Sequence, residues 1–349
     1  MPDLKAAVIG TGGAARLHLE AYRRYPHTQP VAVCSNDRPR AEAVAAQYGV
    51  RAYTSVADML ERERPDVVSV ATLEWDHEAP VLLSLEAGAH VLCEKIMAHT
   101  LAVGEGMVAA ANRANRQLGV NYNYRSVPAH CLIRAALAHS TFGAPALFTA
   151  LTHAYLWPHM LDLIRYFFGD PVEVTGALVD DQALRPPVSV ASGRPWKFSA
   201  NGASDSEMLY HPSIAASATL RYRNPDGSHF LATLSSSAFV PLEDNFWSFM
   251  FYGRTAAVGI HRATRANLNG IPSLGPLARK IAALPPYSYP ESFDDSVAAF
   301  AEAILHSRPA PVPAADGLAV LRLDAAITEA MQTGRTVPLA HSPSTKQFS

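Results

Sequence analysis

The run Ala6-Ala7-Val8-Ile9 stops at Gly10-Thr11-Gly12-Gly13 and resumes from Ala14-Ala15-Arg16-Leu17-His18 in a pattern suited to a helix. A strand that turns into a helix within so few residues leaves little choice of fold. Gly10 permits the bend, Gly12 lets the backbone approach a bound anion, and the small side chain of Ala15 lets the helix lie close on the strand. Gly13 and Ala14 then stand at the first amides of the helix, where unpaired N–H groups and the helix dipole favour negative charge. Glycine turns of this kind occur in many folds, so the spacing Gly-x-Gly-x-x-Ala is informative through its context. A Val/Ile strand precedes it, a helix follows, and a second apolar strand at residues 30–34 comes about 20 residues on, as a βαβ dinucleotide unit requires.

The same alternation continues. Strands are expected at residues 65–72, 90–95 and 117–122, separated by helices at 14–25, 39–48, 56–63, 79–87 and 98–116. Nearly unbroken apolar strands in this order specify a doubly wound parallel sheet with right-handed crossovers. Ligands of such sheets bind beyond the carboxyl ends of the strands, where Thr72 and Lys95 fall. The second strand ends at Ser35-Asn36-Asp37-Arg38-Pro39-Arg40. NAD sites of this design place a carboxylate at the strand end for the ribose hydroxyls, whereas NADP sites remove it and supply Arg. Ser35 holds that position, with Asn36 beside it and Arg38 and Arg40 close behind, so NADP is preferred over NAD. Asp37 could still reach round to a ribose.

A chain of 349 residues exceeds what one hydrophobic core usually accommodates, which makes two domains the default. Lys and Arg together number 29 against 31 for Asp and Glu, with no basic block, which argues against nucleic-acid or membrane-surface partners. Cys34, Cys93 and Cys131 are far apart and read as reduced core thiols of a cytoplasmic protein. No His, Cys or carboxylate set has metal-ligand spacing. The expected fold is α/β: an N-terminal Rossmann domain over residues 1–122, then an α+β domain over 123–340 with a large, mostly antiparallel open sheet, then a disordered tail at 341–349. Strands at 146–154, 172–179, 214–222, 229–238 and 246–252 and helices at 129–139, 292–306 and 316–332 make up the second domain, its last helices packing back towards the first. Stretches 181–213 and 264–290 read as loops lining or covering a pocket.

Several short motifs, in this order and spacing, resemble the glucose-fructose oxidoreductase / inositol dehydrogenase / MocA family over nearly the whole chain. They are Gly10-Thr11-Gly12-Gly13-Ala14-Ala15 with His18, Ala71-Thr72 with His77, Glu86-Ala87-Gly88, and above all His90-Val91-Leu92-Cys93-Glu94-Lys95. The resemblance implies an NAD(P)-dependent dehydrogenase or reductase acting on a sugar, cyclitol or similar polyol or its ketone. It assigns Lys95, from the family's Glu-Lys-Pro motif, to the nicotinamide and the reacting oxygen, and it adds Glu94 and His77 to the cofactor contacts. Ile96 departs from the family by replacing its proline. Asn123-Tyr124-Arg125-Ser126-Val127-Pro128 resembles the family's crossing into the second domain. Asn123 and Arg125 then read either as ligand contacts or as a capped and paired junction, with Tyr124 beside the substrate.

In the stretch from His153 to Arg165, His159 and Asp162 match the last two positions of the family's Asp-x-x-x-His-x-x-Asp. Tyr155 occupies the first, and the usual glycine-rich loop before this helix is missing. The resemblance places His159 at the substrate as general acid or base, with Tyr155 as a hydroxyl donor and His153 as a further contact. It also implies a homodimer or homotetramer formed through the open sheet. Two alternatives stay open: an enzyme that holds its NAD(P) tightly without net redox change, and an inactive NAD(P)-binding sensor or partner subunit.

Overall fold

A computed structural model describes residues 4–138, 143–179, 215–237, 240, 247–254, 257–261, 266–267, 280 and 283–339. The stretch 181–213, most of 264–290 and the tail 341–349 lie outside them. The chain divides into two compact units, residues 1–123 with 290–321, and residues 124–289 with 322–349.

The first unit contains β1 (Leu4–Ile9), α1 (Gly13–Arg24), β2 (Thr28–Cys34), α2 (Arg38–Tyr48), β3 (Arg51–Tyr53) and α3 (Val56–Glu63). Then come β4 (Val67–Val70), α4 (Glu78–Glu86), β5 (His90–Cys93), α5 (Leu101–Ala114) and β6 (Leu118–Val120). The six strands are parallel in the order β3-β2-β1-β4-β5-β6, with the switch point between β1 and β4. β4 is buried along its whole length, as a strand covered on both faces must be. Helix α1 buries Ala15, His18, Leu19 and Tyr22, the i, i+3, i+4, i+7 stripe of a helix packed on a sheet. Local sequence sets the helix ends. Asp37 caps α2 by accepting from the Arg40 amide, Pro39 stands in its first turn, and Gly49 ends it in the left-handed region at φ 69°.

The second unit begins with α6 (Pro128–Ala138), β7 (Pro145–His153) and α7 (Trp157–Phe168). β8 (Glu173–Val179), β9 (Ala215–Arg223), β10 (His229–Ser237), β11 (Trp247–Gly253), β12 (Ala257–His261) and β13 (Ala266–Asn267) follow. α8 (Tyr289–Leu305) and the start of α9 (Ala314–Thr333) return to the first unit, the rest of α9 belongs to the second, and β14 (Val337–Pro338) joins the edge of its sheet. The sheet runs β13-β12-β11-β7-β10-β9-β8-β14, and every described pairing is antiparallel except β7 with β10. One face carries an aromatic core: Phe148, Phe230 and Phe251 of the sheet meet Phe167 and Phe168 of α7 at ring-centroid distances of 5.0–5.6 Å. Burial of each such side chain contributes roughly 1.5–3 kcal/mol. The opposite face leaves Leu147, Leu151, Leu231 and Tyr252 exposed. Leu147 lies in register with Leu231 on one side and Tyr252 on the other.

Candidate functional site

The turn after β1 is built around Gly10, at φ +125°. A Cβ there would stand 2.3 Å from the Ala71 carbonyl oxygen, so no other residue fits without moving β4. Gly12 and Gly13 are exposed, with open space where a Cβ would be, and Ala15 is fully buried under the helix. No side chain caps the N-terminus of α1 and no acidic residue lies in its first turn. The first amides of the helix therefore face outwards with the positive end of the dipole behind them, an arrangement that fits a pyrophosphate.

At the end of β2, Ser35 is half-buried and its hydroxyl accepts from the Asp37 amide at 3.3 Å. The Asp37 carboxylate is occupied as the α2 cap, accepting from the Arg40 amide at 3.1 Å. Asn36, Arg38 and Arg40 are exposed, and Arg38 makes a 3.6 Å surface contact with Glu42. Pairs so exposed hold a side chain weakly. At the end of β4, Thr72 is half-buried and its hydroxyl donates to the Asp76 carbonyl at 3.1 Å.

Lys95, half-buried, follows β5 at the same edge of the sheet, and the peptide bond from Lys95 to Ile96 is cis. Beside it the Glu94 carboxylate is the hub of a buried polar network. Its Oε1 lies 2.8 Å from His18 Nε2 and accepts from Asn121 Nδ2 at 2.6 Å, while Oε2 accepts from the Lys95 amide at 3.3 Å. The network continues from His18 Nδ1 to the Ser69 hydroxyl at 3.0 Å, from Ser69 to Tyr22 at 2.8 Å, and from Asn121 Oδ1 to Ser296 of α8 at 2.6 Å. Burial pushes the Glu94 pKa up, but the bonds from His18 and Asn121 and the nearby His18 and Lys95 charges outweigh it and hold the group below its ordinary range. A buried anion so fully bonded fixes the backbone that presents Lys95.

In the second unit, β7 runs into α7 through one helical turn at Ala154–Leu156, with no glycine loop between. His153 is buried and its Nδ1 accepts from the Tyr155 amide at 3.0 Å, so this ring caps the turn. Tyr155 is 48% exposed. His159 is buried, with the ring of Tyr124 edge-on to it at 4.5 Å. Burial pushes the Tyr124 phenol well above its ordinary range, so it stays protonated. Asp162 is held by Arg125 through three contacts of 2.6–3.1 Å, a buried, forked ion pair. In the first unit, Asn123 is buried and donates to the Ser292 hydroxyl at 2.6 Å.

His77, Thr72, Glu94 and Lys95 of the expected set are thus brought to one edge of the first sheet, with the glycine turn. His153, Tyr155, His159 and Tyr124 are gathered round the start of α7. Asp324 escaped sequence reasoning. It is buried on α9, its carboxylate accepts from Trp157 Nε1 at 3.2 Å, and burial raises its pKa from 3.8 to about 8 although the Trp157 bond lowers it. Its one signal in the sequence is an acid among the apolar positions Leu321, Leu323 and Ile327. Among the described residues no cluster of three His, Cys, Asp or Glu side chains could hold a metal ion, and no helix is long and apolar enough to cross a membrane.

A parallel 3-2-1-4-5-6 sheet with an uncapped amide cradle at its switch point defines the class: a dinucleotide-binding Rossmann domain. Residues 4–122 match the Gfo/Idh/MocA family model, described as an oxidoreductase family with an NAD-binding Rossmann fold. That match covers about a third of the chain, its N-terminal part. It is 33% identical over 194 residues to a D-apiose dehydrogenase of Paraburkholderia graminis, a match covering 50% of this chain and 52% of that one. It is likewise 33% identical over 154 residues to a 1,5-anhydro-D-fructose reductase of Ensifer adhaerens, covering 44% and 46%. The chain thus spans about half the length of these curated relatives. Over almost its full length it shares the fold of a levoglucosan dehydrogenase solved with NADH and levoglucosan, with a TM-score of 0.78, 18% identity and coverage of 97% and 100%.

Proposed function

We propose that this protein is an NAD(P)-dependent oxidoreductase that moves a hydride between nicotinamide and a hydroxyl-bearing or keto carbon of a sugar, cyclitol or similar polyol. The observation that carries this reading is the meeting, at one edge of the first sheet, of the uncapped cradle at Gly12–Ala15 with Lys95 on its bonded Glu94 support. The names of the relatives, all dehydrogenases or reductases of carbohydrate-like compounds, favour the same substrate class. The nicotinamide, when bound, supplies the hydride chemistry. Lys95 places a cation at the reacting oxygen and stabilises the alkoxide character that develops there. His159 exchanges the hydroxyl proton, and the exposed Tyr155 phenol stands where relatives carry an acid.

NADP is the preferred cofactor in this reading. No carboxylate stands at Ser35, Asp37 is occupied as a helix cap, and Arg38 and Arg40 are exposed beside them. The exposed Leu147, Leu231 and Tyr252 patch supports assembly of a homodimer or homotetramer through the open sheet, in the cytoplasm. The decisive experiment titrates NADPH and NADH by fluorescence and then screens keto-sugars and cyclitols for cofactor turnover. Tight binding with no substrate turning over would replace the reading by that of a nucleotide sensor. Nucleotide that survives purification and is unchanged after turnover would indicate chemistry without net redox change.

A further inference from the structure

We propose that His77 is a positioning residue for Lys95, acting through the carbonyl groups of Ile96 and Met97. This rests on the oxidoreductase reading only for the importance given to Lys95.

His77 follows the single helical turn Glu74–Asp76 and precedes α4, and its side chain is fully buried. Its Nδ1 lies 3.0 Å from the Ile96 oxygen and 3.3 Å from the Met97 oxygen, while Nε2 lies 3.3 Å from the Thr72 oxygen. A carbonyl only accepts, so the nitrogen that serves it must donate, and a neutral imidazole has one N–H to give. Burial lowers the His77 pKa, against the pull of Glu94, Glu74 and the backbone carbonyls, so the ring is neutral at neutral pH. Nδ1 has the shortest contact and two acceptors, which assigns it the proton, shared between successive carbonyls. A ring facing only backbone acceptors and excluded from solvent serves the backbone, and the backbone it serves is the turn that carries Lys95.

That turn is held from three directions. The Cys93 thiol, also buried, donates to the Met97 carbonyl at 3.8 Å and closes the turn over its own residues. The Glu94 carboxylate, bonded to His18 and Asn121, accepts from the Lys95 amide and secures the near side. His77 secures the far side. Glu94, Ile96, Met97 and Ala98 are all buried, and Lys95 is the one residue of this run that reaches the surface. Donation from His77 therefore decides at what height and angle the Lys95 side chain leaves the turn.

The test uses the two amides that divide the imidazole between them. The amide nitrogen of Asn occupies the place of Nδ1, and that of Gln reaches the place of Nε2. Full-length wild type, His77→Asn and His77→Gln are compared in three measurements. The first is the rate at which trinitrobenzenesulfonate modifies Lys95, resolved by peptide mapping from the other four of the five lysines in the chain. The second is NADPH affinity by fluorescence, and the third is kcat and KM. His77→Asn should label Lys95 close to the wild-type rate and retain much more kcat than His77→Gln. His77→Gln should shift the labelling rate and lose kcat by roughly tenfold to a hundredfold, the usual penalty for misplacing a reacting group by about 1 Å, with KM nearly unchanged.

Equal labelling in all three proteins overturns the proposal, as does equal loss in both variants. If His77→Gln does not fold, His77→Ala takes its place: a labelling rate shifted from that of His77→Asn upholds the proposal, and an equal rate overturns it. Should the wild type turn over no substrate, the labelling contrast still settles the positioning, and only the oxidoreductase reading falls.

Discussion

The carboxyl edge of the first sheet and the start of α7 are built in opposite ways. The first is made chiefly of backbone: a glycine that tolerates φ +125°, amides at a helix end, and a turn pinned by buried histidines. The second is made of side chains packed on one another: His159 against Tyr124, Asp162 taken by Arg125, and Trp157 bonded to a buried acid. Backbone sites tolerate few residue types but do so visibly. Side-chain sites depend on which distant residues the fold brings together.

The sharpest break of that contrast is Gly10→Ala. Its Cβ meets the Ala71 oxygen at 2.3 Å in a backbone region costly for any side chain, so a loss on the order of 3 kcal/mol is expected in urea unfolding, with nucleotide affinity lost alongside. A variant as stable as wild type would show that the turn is not the rigid half.

Lys95→Ala should lower kcat by about 10²–10³ while NADPH affinity stays close to wild type, because the amide cradle lies in the turn after β1 and Lys95 in the one after β5. His159→Gln should lower kcat by about 10²–10⁴, in proportion to its role in proton exchange. Full turnover by either protein would remove that residue from the mechanism.

On the α7 side, pH should act through Asp324. Its pKa is raised from 3.8 to about 8, so its contribution to stability is complete below about pH 4 and is lost as pH rises through about 8. Asp324→Asn should therefore gain stability over wild type progressively across that window, by a few kcal/mol at its upper end. Parallel melting curves against pH for the two proteins would overturn the assignment. His130 works in the other sense: burial lowers its pKa to about 4, so its contribution is present above 6.5 and is lost as pH falls towards 4.

The smallest expected effect is that of Arg38→Ala, about tenfold weaker NADPH binding with NADH binding unchanged, as loss of one exposed charge-assisted contact implies. Equal weakening of both nucleotides would remove Arg38 from cofactor discrimination.

How much of this was legible in the sequence follows the same division. Gly10, Gly12 and Ala15 announce the cradle because the turn admits so few residues. Helix α3 falls at Val56–Glu63, the range read from the sequence, because Ser55 caps it and its apolar positions repeat at helical spacing. Strand β3 was missed, as were β12, β13 and β14 at the margins of the second sheet. Such short strands carry no pattern of their own and form by pairing with a neighbour. His77 and Asn123 were visible as residues but not in their surroundings. Their partners, at Ile96, Met97 and Ser292, are set by tertiary contacts.

By itself the sequence determined the βαβ order, the glycine turn and the position of Lys95 at a strand end, because these depend on local backbone preference and on periodic burial. Only the tertiary structure decided that Asp162 belongs to Arg125, that Asp324 is a buried acid bonded to Trp157, and that Lys95 stands on a turn held by His18 through Glu94 and by His77 directly. The protonation and direction of those groups depend on which distant partners exclude water from them, and residues far apart in the chain become partners only when the fold brings them together.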